Sequence, residues 1–417
     1  MMNEIGFGGS RFTRPVARFL ALESASGLLL LAATVVALIW ANSPWKDAYS
    51  TLLHHHVSLS AGPVDLHLDV QEFVNDALMA VFFFVVGLEI KRELVKGELR
   101  DRRTAALPVI AAVGGMIVPA LIYVAINAGT STMHGWGIPM ATDIAFAVGV
   151  VALLGNRVPV ALKLFLLSLA VVDDLGAIAV IAIFYTSSIA FGWLLGASGV
   201  LALIAGLRLL RVPSMIPYLL LGVVAWYCMF KSGVHATVAG VALGFLVPLA
   251  PMRGQEGRPS MAERLENALH PWSAYVIIPI FALCNAGVTL TIDALSTAAS
   301  STVTWGVALG LVVGKTIGVA ATSLLAIRLG IVNRPRGVSN VHMLGIAMAA
   351  GIGFSVALFV TNLAFTDAAS ADQSRIGILG ASLVAALGAA AVLRLAAARA
   401  SSKELALEAA ENAEFFD

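Results

Sequence analysis

Long apolar runs separated by short polar segments extend along almost the whole chain. Runs of helical length cover residues 18–42, 72–95, 105–127, 138–155, 160–186, 190–210, 214–230, 233–250, 271–292, 303–328, 341–366 and 375–398. The hydrocarbon core of a bilayer requires about 20 apolar residues per helix. The pattern therefore predicts an all-α polytopic membrane protein with twelve transmembrane helices. The even number of helices places both ends of the chain on the same side.

The segment between the first two runs has a different periodicity. Residues 56–70 alternate apolar and polar positions on both sides of the sequence Ala61-Gly62-Pro63. A period of two is typical of a strand, and Gly-Pro is typical of a turn. We therefore predict a small outer β-hairpin at residues 56–70, with a solvated loop as the alternative.

The composition agrees with a membrane protein. The chain is 59% hydrophobic and 12% charged, whereas soluble domains carry about 25% charged residues. The lipid bilayer is the expected partner, and no nucleic acid is expected. The expected organisation is an N-terminal tail at 1–17, a twelve-helix domain at 18–398 and an acidic tail at 399–417.

Lysine and arginine residues are concentrated on one side of the predicted bundle. They follow every second run and flank both ends of the chain, as at Arg18, Lys91, Arg157, Arg208, Arg264, Arg328 and Arg394. The opposite loops contain only Lys46, Lys231 and Arg375. Loops rich in lysine and arginine remain in the cytoplasm. Both termini are therefore predicted to be cytoplasmic.

Helix-breaking residues interrupt the fourth and eleventh runs. Gly137 and Pro139 precede Thr142 in the fourth run, and Gly351 and Gly353 lie in the middle of the eleventh. Interrupted spans in corresponding positions of two repeats, here runs 3–5 and 10–12, are typical of a transporter binding site. Close helix packing around small residues is the alternative.

Four charged residues lie inside the apolar runs: Asp143, Asp173, Asp174 and Lys315. Each would cost roughly 2.5–3.5 kcal/mol at the bilayer centre if it faced lipid. They must therefore face the protein interior or a water-filled funnel, where a functional site is the default interpretation. Asp143 has an alternative role as the N-cap of a half-helix. The alternative role of Lys315 is that of a partner in a structural ion pair.

Asp173 and Asp174 are adjacent, so on a helix their side chains point about 100° apart. One carboxylate can line a cavity while the other faces a neighbouring helix, and a structural ion pair would need only one acid. Hard oxygen ligands suit alkali or alkaline-earth cations, and the carboxylate pair with Thr142 and freed backbone carbonyls could replace the hydration shell of Na⁺ or Li⁺. Because a buried carboxylate also competes for protons, the expected activity is cation/proton exchange by a protein that is not an enzyme and needs no cofactor.

Several long motifs resemble one transporter family. They are NDALMAVFFFVVGLEIKREL (75–94), ATDIAFA (141–147), VVDDLGAI (171–178), KSGVHAT (231–237), LHPW (269–272) and FALCNAG (281–287). Together they resemble the NhaA family of bacterial sodium/proton antiporters over roughly residues 18–395. Interrupted spans in inverted repeats, which the fourth and eleventh runs indicate, are also a feature of this family.

The resemblance implies inverted-topology repeats in which interrupted spans 4 and 11 cross. It implies that Asp173 and Asp174 bind the ion and protons, with Thr142 close by. Asp143 would compensate the charge of the helix ends, and Lys315 would either pair with the first aspartate of the site or carry a proton.

The resemblance also implies a physiological setting. The protein would reside in the bacterial inner membrane and export Na⁺ and Li⁺ in exchange for H⁺, electrogenically, for sodium tolerance and pH homeostasis. Glu89, Arg92, Glu93 and Glu266 match residues linked to activation by alkaline pH. The hairpin at 56–70 would form a homodimer contact.

Three other classes of membrane protein fit the sequence less well. A symporter of an organic anion would need more polar or basic residues in its spans. An intramembrane aspartyl protease takes its two acids from different helices. A channel would not need a single buried lysine such as Lys315.

Overall fold

The computed structural model describes residues 13–61, 64–186, 189–249, 259–335 and 337–399. Most of the two predicted tails, residues 1–12 and 400–417, lies outside these ranges. The helices of the first half are α1 (Thr13–Ala41), α2 (Lys46–Leu53), α3 (Val70–Val95), α4 (Arg102–Asn127), the 3₁₀ helix α5 (Ser131–Met140), α6 (Ile144–Ala152) and α7 (Val160–Phe184). Those of the second half are α8 (Phe191–Leu209), α9 (Ile216–Ser232), α10 (Thr237–Leu246), α11 (Met261–Asn285), α12 (Ile292–Ser300), α13 (Thr302–Arg328), α14 (Asn340–Ala350), α15 (Phe354–Ala364) and α16 (Ala368–Arg399).

The helices are long and apolar enough for a multi-pass membrane protein. Among the described residues, seven helices pass a length and hydropathy criterion for crossing a bilayer, or up to ten if each bent pair counts as one span. Two of the bent pairs are α5 with α6, at 44°, and α14 with α15, at 42°. One break lies at residues 351–353 and contains Gly351 and Gly353, and the other lies at residues 141–143, directly after the 3₁₀ helix that contains Gly137 and Pro139.

Two short strands follow α2. Strand β1 (His56–Ala61) pairs with β2 (Val64–Asp69) in an antiparallel register that sets His56 opposite Asp69. Asp69 then begins α3, because its carboxylate accepts a hydrogen bond from the Glu72 backbone N–H at 2.7 Å. This reciprocal cap ties the strands directly to a membrane helix.

The helices form two bundles that face each other. The first bundle contains α3, α10 and α11, with α8 and α9 on its flank, and α1 packs against both α11 of this bundle and α6 of the second. The second contains α4, α7, α13 and the two broken pairs, covered by α16. Glycines set the closest approaches: a Cβ atom on Gly244 of α10 would lie 2.8 Å from the Gly87 carbonyl carbon of α3. Small residues permit such packing in a bilayer, where lipid tails are as apolar as the side chains.

Three π-helical turns, which the 3.6-residue period does not predict, lie within the described spans. They occupy Val74–Leu78 in α3, Ser273–Ile277 in α11 and Gly310–Gly314 in α13. A π turn adds one residue to a helical turn and rotates everything that follows. The third π turn ends immediately before Lys315 and therefore sets the direction of that side chain.

Candidate functional site

The two broken pairs cross at Asp143. The backbone N–H of Asp143 donates to the Ile352 carbonyl at 2.7 Å. One carboxylate oxygen of Asp143 accepts from the Phe146 N–H at 3.0 Å, and the other accepts from the Ser355 N–H at 2.9 Å. The side chain therefore caps its own half-helix α6 and also the first turn of α15. A carboxylate between two helix N-termini offsets the partial positive charge of both.

Thr142, Asp173 and Lys315 form a buried cluster beside the crossing. The Thr142 hydroxyl oxygen lies 2.7 Å from Asp173 Oδ2 and 2.9 Å from the Ala350 carbonyl oxygen, at the end of α14. Lys315 Nζ donates to Thr142 Oγ1 at 2.9 Å and forms an ion pair with Asp173 Oδ2. Both charged side chains are fully buried. The ammonium group thus neutralises one of the two adjacent aspartates.

Asp174 has different surroundings from its neighbour. It borders a cavity of about 40 Å³ between the two bundles, whose walls include Glu89, Thr142, His270 and Ser355. This volume holds about three water molecules, or one ion with part of its hydration shell. Within the described residues, Asp174 Oδ1 is buried without a hydrogen-bond partner. The carboxyl group next to the cavity is therefore available to a ligand.

Carboxylates alone would not provide enough oxygen ligands for a cation at the crossing of the broken pairs. No group of three or more His, Cys, Asp and Glu side chains able to hold a metal ion occurs in the described ranges. Asp173 Oδ1 is a second buried carboxylate oxygen without a partner there. A cation at this point would have to combine the two aspartates with the Thr142 hydroxyl and the carbonyls exposed by the breaks. Such oxygen sets suit hard cations.

The end of α3 and the start of α11 lie on one side of the molecule, which we term the cavity side. This side contains the predicted group Glu89, Arg92, Glu93 and Glu266. Arg92 forms an ion pair with Glu266 of α11 and lies 3.5 Å from Glu93. Glu89 borders the cavity itself. The four residues predicted as a group therefore lie close together, and the Arg92–Glu266 ion pair links the two helices that form one wall of the cavity.

The sequence predicts freed backbone carbonyls at the site but not the residues that provide them, and it gives no indication of the α15 backbone N–H that binds Asp143. The backbone N–H of Ser355 and the carbonyls of Ala350 and Ile352 take part through their main-chain atoms, which carry no residue-specific signal. Their location is nevertheless implied by the break at Gly351 and Gly353, because a broken helix frees the N–H and carbonyl groups on either side of it.

Comparisons with known proteins identify the family of the chain. A family model described as Na⁺/H⁺ antiporter 1 matches residues 17–393. The Na⁺/H⁺ antiporter NhaA of Mesorhizobium japonicum is 48% identical over 94% of this chain and 98% of its own length. NhaA 3 of Frankia alni is 46% identical over 91% and 88%, and NhaA of Vibrio campbellii is 43% identical over 94% and 97%. Because the family match includes both broken pairs and all four buried charges at their crossing, the chain belongs to the Na⁺/H⁺ antiporter 1 family.

Proposed function

We propose that the protein is a secondary active antiporter that exports Na⁺, and also Li⁺, from the cytoplasm in exchange for H⁺. This proposal rests on the different surroundings of two adjacent aspartates: Asp174 borders the cavity, and Asp173 is paired with Lys315. Removal from water disfavours a bare negative charge. Each carboxylate must therefore hold a proton, a cation or a charged partner, and binding of one releases another.

In this mechanism the cation enters from the cavity side and exchanges part of its hydration shell for protein oxygens. Asp174 supplies the first charge, and the Thr142 hydroxyl, which bonds Asp173 and lines the same cavity as Asp174, supplies a neutral ligand. Lys315 balances Asp173 while the cation is absent, or itself carries one of the protons. More than one proton per Na⁺ makes the exchange electrogenic.

We propose twelve spans in total. These spans are the seven long helices, α1, the two broken pairs counted as one span each, and the shorter apolar helices α9 and α10. The segments α4–α7 and α13–α16 would be inverted-topology repeats. Both termini would be cytoplasmic in a bacterial inner membrane, and the strands β1 and β2 would face the outside and form a homodimer contact.

The ion pairs on the cavity side support a regulatory role. Arg92, Glu93 and Glu266 link α3 to α11, and Glu89 borders the cavity between them. Loss of a proton from this group would change the balance of charge at the cavity entrance. We propose that this change activates exchange at alkaline pH, as sodium tolerance and pH homeostasis require.

The proposed function predicts a response in everted membrane vesicles that contain a pH-sensitive dye. Na⁺ or Li⁺ should dissipate an established proton gradient, and K⁺ at the same concentration should not. Because protons occupy the same carboxylates, the Na⁺ concentration for a half-maximal response should rise about tenfold per pH unit of acidification for each competing proton. No response to Na⁺, or an equal response to K⁺, would contradict the proposal.

Asp143 is expected to support the site without carrying the ion. In Asp143→Asn, one oxygen acceptor remains but the charge and one of the two helix caps are lost. We expect a loss of about 1–2 kcal/mol in stability and a reduced but measurable exchange rate. Asp143→Ala, which removes both caps, should lose more. Thermal melting and the vesicle assay measure the two effects, and complete loss of exchange in a stable Asp143→Asn protein would instead make Asp143 a ligand.

A further inference from the structure

A network of amide side chains closes the end of the molecule opposite the cavity. This end, which we term the hairpin side, contains the start of α3, the end of α11 and the end of α15. Asn285 is buried at its centre, where its Oδ1 accepts from Gln71 Nε2 at 3.1 Å and its Nδ2 donates to Asn75 Oδ1 at 2.8 Å. These three residues all belong to the first bundle.

One hydrogen bond of this network joins the two bundles. Asn362, on α15 of the second bundle, donates from Nδ2 to Asn285 Oδ1 at 2.6 Å. Arg375 of α16 donates to Asn362 Oδ1 at 3.0 Å and pairs with Asp372 at 2.9 Å. The Arg375 bond orients the Asn362 amide so that its N–H group points toward the first bundle.

An aromatic layer lies between this network and the ion site. Phe359 of α15 packs against Phe83 of α3 at 5.3 Å and Phe281 of α11 at 6.3 Å between ring centroids, and all three rings are buried. Ser355, Phe359 and Asn362 follow one another along a single face of α15. At 1.5 Å per residue, Asn362 lies about 10 Å beyond the Ser355 N–H that binds Asp143.

We propose that the Asn285–Asn362 hydrogen bond is a latch that keeps the hairpin side closed while the cavity is open on the other side. The inference rests on the proposed function, because an antiporter must open its site to one side at a time. For a cation to leave on the hairpin side, Phe359 must separate from Phe83 and Phe281. Asn362 lies on the same helix as Phe359, so that movement also breaks the bond to Asn285.

Asn362→Ala removes the latch and should favour the state that is open on the hairpin side. In proteoliposomes of defined orientation, the KM for Na⁺ should rise on the cavity side and fall on the hairpin side. The loss of one hydrogen bond predicts about a 2- to 10-fold change in the ratio of the two KM values. Asn127→Ala is the matched control, because buried Asn127 bonds the Tyr123 and Thr302 carbonyls within the second bundle only.

A second experiment does not depend on the stability of the alanine variant. In a background with Cys228→Ser and Cys284→Ser, Asn285→Cys and Asn362→Cys are joined by a short bifunctional thiol reagent. If the reagent is a bifunctional methanethiosulfonate, which joins the two thiols through disulfides, cross-linking of the double variant should stop exchange and dithiothreitol should restore it. The reagent should leave the exchange rate of each single cysteine variant unchanged. Unchanged exchange in a cross-linked protein, or an unchanged KM ratio in Asn362→Ala, would overturn the latch. Absence of exchange in the unsubstituted protein would instead overturn the proposed function.

Discussion

Asp174→Asn should abolish sodium-dependent proton exchange and leave the folded protein intact. The Asp174 carboxyl borders the cavity, and one of its oxygens is buried without a hydrogen-bond partner among the described residues. An amide has nearly the same shape but neither binds a transported proton nor provides the negative charge for Na⁺. We expect a rate below about 1% of the parent, which corresponds to about 2.7 kcal/mol of lost interaction.

The control for this prediction is Asp293→Asn, which makes the same chemical change at an exposed position of α12. Both variants should insert into the membrane and melt near the temperature of the parent. Binding of Na⁺ to the purified protein, measured by calorimetry, should disappear in Asp174→Asn alone. An Asp174→Asn protein that retains exchange or Na⁺ binding would move the site elsewhere.

The positions of the breaks and of the buried charges could be predicted from the sequence because each depends on local chemistry. Paired helix breakers such as Gly137 with Pro139 and Gly351 with Gly353 disfavour a continuous helix, and a charged residue in an apolar run must avoid lipid whatever the fold. Helical geometry likewise requires that two adjacent aspartates face different surroundings. These conclusions need no knowledge of how the helices pack.

The partner of Lys315 could not be predicted in this way. Its direction depends on the rotation of α13, and the π turn at Gly310–Gly314 shifts that rotation just before Lys315. The choice between Asp173 and Asp174 also depends on the rotation of α7. Both rotations are set by packing between helices distant in sequence, such as the close approach of Gly314 to Pro119.

The length of α10 is a second property that the apolar pattern does not predict. Within the described part of the run at 233–250, residues 233–249, the helix is confined to Thr237–Leu246 and is about 15 Å long. Gly233 adopts a left-handed φ of 81°, and the chain leaves the helix at Val247. Lys91 Nζ then binds the freed Phe245 carbonyl at 2.8 Å. Hydropathy measures compatibility with lipid, whereas helix length also depends on where the backbone finds hydrogen-bond partners.

Lys315→Met should cause the largest loss of stability among the site variants. Its ammonium group is fully buried and pairs with the equally buried carboxylate of Asp173. Removing one member of a buried pair leaves an uncompensated charge and typically costs about 3–5 kcal/mol. Because Asp173 can escape this cost by taking up a proton, the loss should be larger in alkaline than in acidic buffer.

The double variant Asp173→Asn/Lys315→Met separates charge balance from transport. It contains neither buried charge, so it should regain most of the stability that Lys315→Met loses, and its melting temperature should depend less on pH. Exchange should remain absent, since the proton and cation sites at Asp173 are gone. Equal melting temperatures for Lys315→Met and the parent at alkaline pH would show that the ion pair contributes no stability. A double variant as unstable as the single one would show that Lys315 acts through packing, because only the charge of Asp173 distinguishes the two proteins.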